Sequence, residues 1–125
     1  MPIAVDESRY PVVTMTFPEL PSDEDIQDFI AVNLRLLAKK ERHATVVDMR
    51  PIAEAAPQQR RMTADYVRQN YAALQQWRAG VAFVSSSRFT RGIVAAVMWL
   101  QRPPYEWAVV ASVEAGIAWC EARLR

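Results

Sequence analysis

Residues 80–102 of the chain read GVAFVSSSRFTRGIVAAVMWLQR and combine one strand with one helix. The apolar run 81–84 lies between Gly80 and three serines, which is typical of a strand buried on both faces of a sheet. A strand that feeds a helix is the unit of parallel sheets, because the chain must cross the sheet before the next strand can run the same way. This stretch therefore predicts an α/β fold. The apolar stripe of its helix comprises Phe89, Ile93, Val97 and Leu100.

The chain before this stretch contains three more candidate strands and two candidate helices. Ile3–Val5 and Tyr10–Phe17 are strand-like and are joined by four polar residues, which predicts an antiparallel hairpin. Ser22 precedes three acidic residues and an apolar stripe of helical period, so it is a candidate N-cap. Ala44–Met49 predicts a second buried strand, with Asp48 near its carboxyl end.

The remaining elements complete a repeating strand and helix pattern. Gln58–Arg78 predicts one continuous helix, with Gly80 just beyond it as a left-handed cap. Residues Tyr105–Ala111 are predicted to form the last strand, and Ser112 is predicted to cap the last helix. The expected order is ββαβαβαβα in a single mixed, mostly parallel sheet with an N-terminal β-hairpin and helices packed on it. We expect one domain over residues 1–125, since no linker divides the chain.

Composition limits the classes of partner. The chain has fifteen basic and fourteen acidic side chains. Its net charge is therefore too small to attract nucleic acid or an anionic membrane. The longest uncharged apolar-rich stretch, residues 92–101, is far shorter than the roughly 20 residues that span a bilayer. The single cysteine, Cys120, cannot form an internal disulfide, and the N-terminus lacks a leader pattern. We therefore expect a cytoplasmic protein that binds no nucleic acid and does not insert into a membrane.

Residue types that carry catalysis or bind metals are scarce. His43 is the only histidine and Cys120 the only cysteine, and they lie in distant elements. Neither a catalytic His–Cys dyad nor a zinc site is therefore expected. The three glycines are scattered and cannot form a phosphate-cradling loop. Asp48 and Arg50 fall at a strand end where open sheets bind ligands, but a structural ion pair explains them as well. We therefore expect no enzymatic activity, cofactor or metal.

One candidate anion site lies where the central strand ends and its helix begins. Backbone amides and the positive end of a helix favour an anion there, and hydroxyl and guanidinium groups could hold a phosphate or carboxylate. The alternative is that the serines cap the helix and the arginines are solvated. The residues of this candidate site are Ser85, Ser86, Ser87, Arg88 and Arg91.

The order of elements resembles that of a STAS domain, the fold of SpoIIAA-like anti-sigma factor antagonists and of sulfate-transporter tails. The resemblance is carried by the hairpin, the capped first helix and the strand ATVVDM at 44–49, which ends in an aspartate. The segments GVAFV, RGIVAAVMWL and SVEAGIAWCEARL also resemble small bacterial proteins described as STAS-like or similar to the lipid-binding CRAL-TRIO fold. The resemblance implies a regulatory module that binds proteins.

One feature of that family has no counterpart here. Anti-sigma factor antagonists carry a phosphorylatable serine in the turn after the strand that ends in aspartate. The matching segment is RPIAEAAP at 50–57, which contains no serine or threonine. The phosphorylation switch is therefore not expected at that position.

The resemblance implies a protein partner that binds around the second long helix and the loop before it. The partner could be a second copy of the chain, which would give a homodimer. The alternative function is that of a carrier for a small apolar or anionic ligand, such as a lipid-like or phosphate-bearing molecule. The expected interaction surface comprises Arg50, Glu54, Arg60, Arg61, Tyr66 and Trp77.

Overall fold

Five strands form one mixed sheet in the computed structural model, which describes residues 3–125. Strands β1 and β2 pair antiparallel, whereas β2, β3, β4 and β5 run parallel to one another in chain order. The predicted mixed, mostly parallel sheet with an N-terminal hairpin is therefore confirmed. Met1 and Pro2 of the predicted domain lie outside the described residues. The strands are β1 Ala4–Asp6, β2 Val12–Thr16, β3 His43–Asp48, β4 Arg78–Val84 and β5 Glu106–Val110.

Helices cover the two faces of the sheet unequally. Because side chains alternate along a strand, Val47 and Val81 face a core shared with the first and fourth helices, while Val46 and Ala82 face the last helix. Within residues 3–125, α5 alone packs on that second face. The helices are α1 Asp23–Ala38, α2 Pro57–Gln69, α3 Tyr71–Trp77, α4 Arg88–Leu100 and α5 Val113–Leu124.

Serine caps begin three of these helices. Ser22 accepts a hydrogen bond from the backbone N–H of Asp25, whose carboxylate accepts one from the Ser22 N–H in return. The Ser112 side chain accepts from Ala115 N at 3.1 Å, and the Ser87 side chain caps α4 in the same way. The caps predicted at Ser22 and Ser112 are confirmed.

The segment expected to form one helix over residues 58–78 contains two helices and the start of a strand. Asn70 ends α2 with φ −117° and ψ 24°, and its side-chain amide donates to Tyr66 O at 2.9 Å. That bond competes with helical hydrogen bonding and allows α3 to start in a new direction. The predicted left-handed cap at Gly80 is wrong, because Gly80 lies inside β4 and no glycine in the described chain has positive φ. The element order is thus ββαβααβαβα.

An irregularity in the pairing of β3 with β4 orients one charged side chain. His43 pairs with Arg78 and Ala44 pairs with Gly80, so Ala79 is an extra residue in β4. The extra residue reverses the alternation, and Arg78 therefore points to the same face as Val81, toward α1. Without this bulge the Arg78 side chain would face α5.

The close approach of α5 to the sheet depends on Gly116. A Cβ atom added there would lie 3.0 Å from Val46 Cγ1 and 3.5 Å from the Ala82 Cβ. On the outer side of α4, a Cβ added to Gly92 would contact nothing within 4 Å. The two helical glycines therefore have different roles, since only the first is required by packing.

We expect Gly116→Leu to lower the free energy of unfolding by about 2 kcal/mol or more, because the larger side chain must push α5 away from the sheet. Gly92→Ala should raise it by about 1 kcal/mol, because alanine restricts the unfolded chain at a position with open space. Urea unfolding followed by circular dichroism measures both. Equal effects of the two substitutions would contradict this account of α5 packing.

Candidate functional site

The loops that follow β3 and β4 meet at the carboxyl edge of the sheet. Asp48 and Val84 are paired at the ends of these strands, and Met49 N donates to Val84 O at 3.0 Å. Phe89 and residues 53–56 line one shallow recess. The two sites that the sequence predicts separately, at 85–91 and around 50–61, are thus neighbours.

Serine side chains at this edge mainly form a network inside the protein. Ser85 is 1% exposed, donates to Ser87 O at 3.0 Å and shares a hydrogen bond with the Thr90 hydroxyl. The Ser87 hydroxyl oxygen accepts from Thr90 N at 3.2 Å and so caps α4. Ser86 lies exposed beside this network. These contacts fit the capping alternative for Ser85 and Ser87, and the anion site stays a prediction.

The arginines at the same edge differ in their partners. Arg50 donates from Nε and Nη2 to the two carboxylate oxygens of Asp48, at 3.0 and 2.8 Å. This forked hydrogen bond raises the pKa of Arg50 and fixes the start of the loop. Arg88, Arg91 and Arg61 are exposed and form no ion pair within residues 3–125. These three cations are solvated, and the charged residue that lines the recess is Glu54.

Only some of the residues expected to form the interaction surface are exposed. Glu54 is exposed, Arg60 is half-buried and donates to Ala55 O at 3.2 Å, and Trp77 is half-buried at the end of α3. Tyr66 is 5% exposed because it lies on the inner side of α2, in the cluster with Leu74. Tyr66 therefore cannot present its ring to a partner.

Apolar residues that the sequence analysis placed in the core lie on the surface. Phe89 is 48% exposed and Leu100 48% exposed, because the buried stripe of α4 runs through Ile93, Val94 and Val97 and leaves both on its flank. Trp99, on the opposite side of α4, is 87% exposed. The sequence does contain a signal for this exposure. If Thr90 and Val94 are included in the buried stripe of α4, the centre of that stripe lies away from Phe89.

A second polar site is enclosed between the sheet and the helices. Arg78 is 5% exposed and lines a cavity of about 80 Å³. Its guanidinium donates to His43 Nε2 at 3.0 Å, to Thr45 Oγ1 at 3.4 Å and to Asn33 Oδ1 at 2.8 Å. Sequence reasoning missed this site, because it assigned Arg78 to a helix end.

The hydrogen bonds of His43 define its protonation state. Since Arg78 can only donate, His43 Nε2 must accept, and His43 Nδ1 then carries the proton and donates to Glu41 O at 2.9 Å. Burial and the charge of Arg78 lower the pKa of His43 to about 4. The imidazole is therefore neutral at pH 7.

This pKa predicts a loss of stability in mild acid. The unfolded chain binds a proton at His43 near pH 6.5, whereas the folded chain binds it only near pH 4. The stabilisation of the fold by neutral His43 is therefore complete above pH 6.5 and is lost as the pH falls toward 4. Between pH 7 and 4.5 we expect His43 to account for about 2 kcal/mol of lost unfolding free energy.

Urea unfolding at the two pH values measures this, with His43→Gln as the control. Glutamine can accept from Arg78 but does not titrate, and the carboxylates titrate equally in both proteins. The wild type should lose about 2 kcal/mol more than His43→Gln. Equal losses would show that another group causes the acid sensitivity.

Other reactive groups are inaccessible or isolated. The Cys120 thiol is buried, donates to Thr45 O at 3.4 Å, and has its pKa raised to about 11 by burial. Over residues 3–125, no three side chains among histidine, cysteine, aspartate and glutamate are grouped so that they could hold a metal ion. None of the described helices has both the length and the apolar character needed to cross a membrane.

The architecture is that of the SpoIIAA-like, STAS-type fold, and two solved structures share it. One is an uncharacterised protein of the DUF3478 family with a SpoIIAA-like fold from Shewanella loihica PV-4. Its TM-score is 0.66 at 11% identity, over 94% of this chain and 91% of that chain. The other is SiaC, in the complex of the diguanylate cyclase SiaD with its activator SiaC from Pseudomonas aeruginosa. Its TM-score is 0.57 at 13% identity, over 86% of this chain and 92% of that chain.

No protein-family model matches the chain, and no curated protein matches it. The predicted fold is confirmed by the two structures. At such low identity the likeness concerns the fold.

Proposed function

We propose that this protein is a non-enzymatic regulatory module of STAS type that binds a protein partner at the carboxyl edge of its sheet. We call this area the carboxyl-edge surface and define it by Leu20, Glu54, Arg61, Arg88, Phe89 and Arg91. A SpoIIAA-like fold and the similarity to SiaC, the activator of a diguanylate cyclase, support a regulatory role. Location in the cytoplasm, with its reducing conditions, is part of this proposal.

The observation that carries the proposal is an exposed aromatic ring beside a recess, at the start of a helix whose Arg88 and Arg91 are exposed and unpaired within the described chain. Phe89 is 48% exposed and borders the recess formed by residues 53–56. Leu20, 61% exposed, lies in the segment whose Glu19 O accepts from Ala53 N at 2.8 Å, so it belongs to the same edge. Aromatic residues and arginines with a shallow apolar recess are the usual composition of interface centres.

The charges of the surface favour an acidic partner. Arg61, Arg88 and Arg91 form no ion pair inside the described chain, whereas Arg50 is already paired with Asp48. An acidic patch on the partner would meet these arginines and accelerate association. The loop 50–57 has no serine or threonine, so binding would be controlled by something other than phosphorylation of this loop.

The proposal predicts that Phe89 contributes strongly to partner binding. Phe89→Ala should weaken the complex by about 2 kcal/mol, or about 30-fold in Kd, because a buried interface aromatic is replaced by a methyl group. Leu34→Ala is the matched control, since Leu34 is 41% exposed on α1 and lies outside the surface. Both substitutions should change the free energy of unfolding by less than about 0.5 kcal/mol.

The experiment has two stages. Tagged wild type, Phe89→Ala and Leu34→Ala are recovered from cells of the source organism, and co-purifying proteins are quantified by mass spectrometry. A protein lost with Phe89→Ala and retained with Leu34→Ala is then purified, and its affinity for all three chains is measured by calorimetry. A second copy of the chain would appear as a dimer in sedimentation and would identify the partner as itself. The proposal fails if no protein depends on Phe89, or if both substitutions reduce recovery equally.

A further inference from the structure

The cavity beside Arg78 is positively charged and has no counter-ion of its own. It lies between the sheet and α1, α2 and α4, with apolar side chains such as Phe29, Val81 and Ile93 in its wall. Arg60 and Arg78 also line it, while no lining residue of the described chain is an aspartate or glutamate. A cavity of this kind favours a negatively charged occupant.

The hydrogen bonds of Arg78 leave part of its guanidinium free. A guanidinium has five N–H donors, and three of them are used, by His43, Thr45 and Asn33. One N–H on each terminal nitrogen therefore has no acceptor among residues 3–125. All three acceptors are neutral, so they satisfy donors without balancing the buried charge. An N–H group of this kind can donate to a carboxylate oxygen.

A second polar group of the cavity also lacks a partner. The Tyr66 hydroxyl is buried and makes no well-aligned hydrogen bond within the part of the chain that the structure describes. Burial raises the pKa of Tyr66, while the charge of Arg78 and a looser contact from its guanidinium to the Tyr66 oxygen act in the opposite direction. The hydroxyl proton itself has no acceptor. The phenol is thus protonated at pH 7 and can donate. A buried hydroxyl without a partner destabilises a fold, which is unusual unless something else accepts its proton.

We propose that this cavity binds a short-chain monocarboxylate, whose carboxylate meets the Arg78 guanidinium and the Tyr66 hydroxyl and whose hydrocarbon tail lies along the apolar wall. The volume of about 80 Å³ limits the size of the ligand. It is about half of the 150 Å³ that holds benzene, a molecule of six heavy atoms, so an acid of roughly two or three carbons fits. This inference goes beyond partner binding and does not depend on it.

A purely structural role for Arg78 is the competing explanation. Arg78 links α1, β3 and β4, so its substitution should destabilise the protein whether or not a ligand binds. Tyr66 separates the two explanations. Tyr66→Phe removes a hydroxyl that makes no well-aligned hydrogen bond inside the described chain, so the urea midpoint of the free protein should stay nearly the same. With a carboxylate ligand, the same change removes a donor and should weaken binding at least fivefold.

The test uses propionate as the probe, titrated into the full chain and followed by NMR. We expect saturable binding with a Kd on the order of 1 mM, and movement of the Arg78 side-chain Nε–H resonance. Propionamide, which has the same shape without the charge, should bind at least tenfold more weakly, and formate, which lacks the tail, should also be weaker. Arg102→Gln removes an exposed cation outside the cavity and should bind propionate like the wild type.

Three results would overturn the inference. They are the absence of saturable propionate binding at about ten times the expected Kd, equal affinity for propionamide, and unchanged affinity in Tyr66→Phe. Phe89→Ala should bind propionate normally, since Phe89 is not part of the cavity wall. Failure of ligand binding and failure of partner binding can therefore be distinguished.

Discussion

The buried guanidinium of Arg78 is the interaction on which the arrangement of the first helical layer depends. Its three hydrogen bonds reach Asn33 on α1 and two residues of β3, so one side chain joins a helix to two adjacent strands. Charged groups are rarely buried without an opposite charge, because desolvation is only partly offset by neutral acceptors. The extra residue Ala79 is what turns this side chain toward α1. The extra residue in β4 therefore determines where the polar site lies.

The two candidate sites occupy different parts of the same layer. The carboxyl-edge surface is built from loops that the parallel strands must place together, since β3 and β4 end at Asp48 and Val84 side by side. The cavity lies beneath, between the sheet and the helices that support those loops. Arg60 links the cavity to the loop beside that surface, because it lies in the first turn of α2, donates to Ala55 O and also lines the cavity. A ligand in the cavity would thus contact the helix that supports the surface.

Much of the fold follows from local sequence, because it depends on local signals. The apolar run Val81–Val84, the cap at Ser22 and the strand ending at Asp48 are each encoded within a few residues, and each was predicted correctly. The break at Asn70 was missed, since a single asparagine within a helical pattern is common and only its bond to Tyr66 O shows that the helix ends there. Arg78 was missed because its orientation depends on how β4 is paired with β3, which is a long-range property. For the same reason, no pattern in the sequence indicates the cavity.

Strand β5, at one edge of the sheet, affects how copies of this protein contact one another at high concentration. β5 pairs with β4 on one side, and on its other side no described strand follows, so a row of backbone donors and acceptors faces outward. Such rows can recruit strands from other molecules into fibrous aggregates. Here the strand has five residues, two prolines precede it, and the carboxylate of Glu106 at its start is held by Arg123 at 2.6 Å. These features shorten and charge the open edge, which protects the protein from edge-to-edge polymerisation.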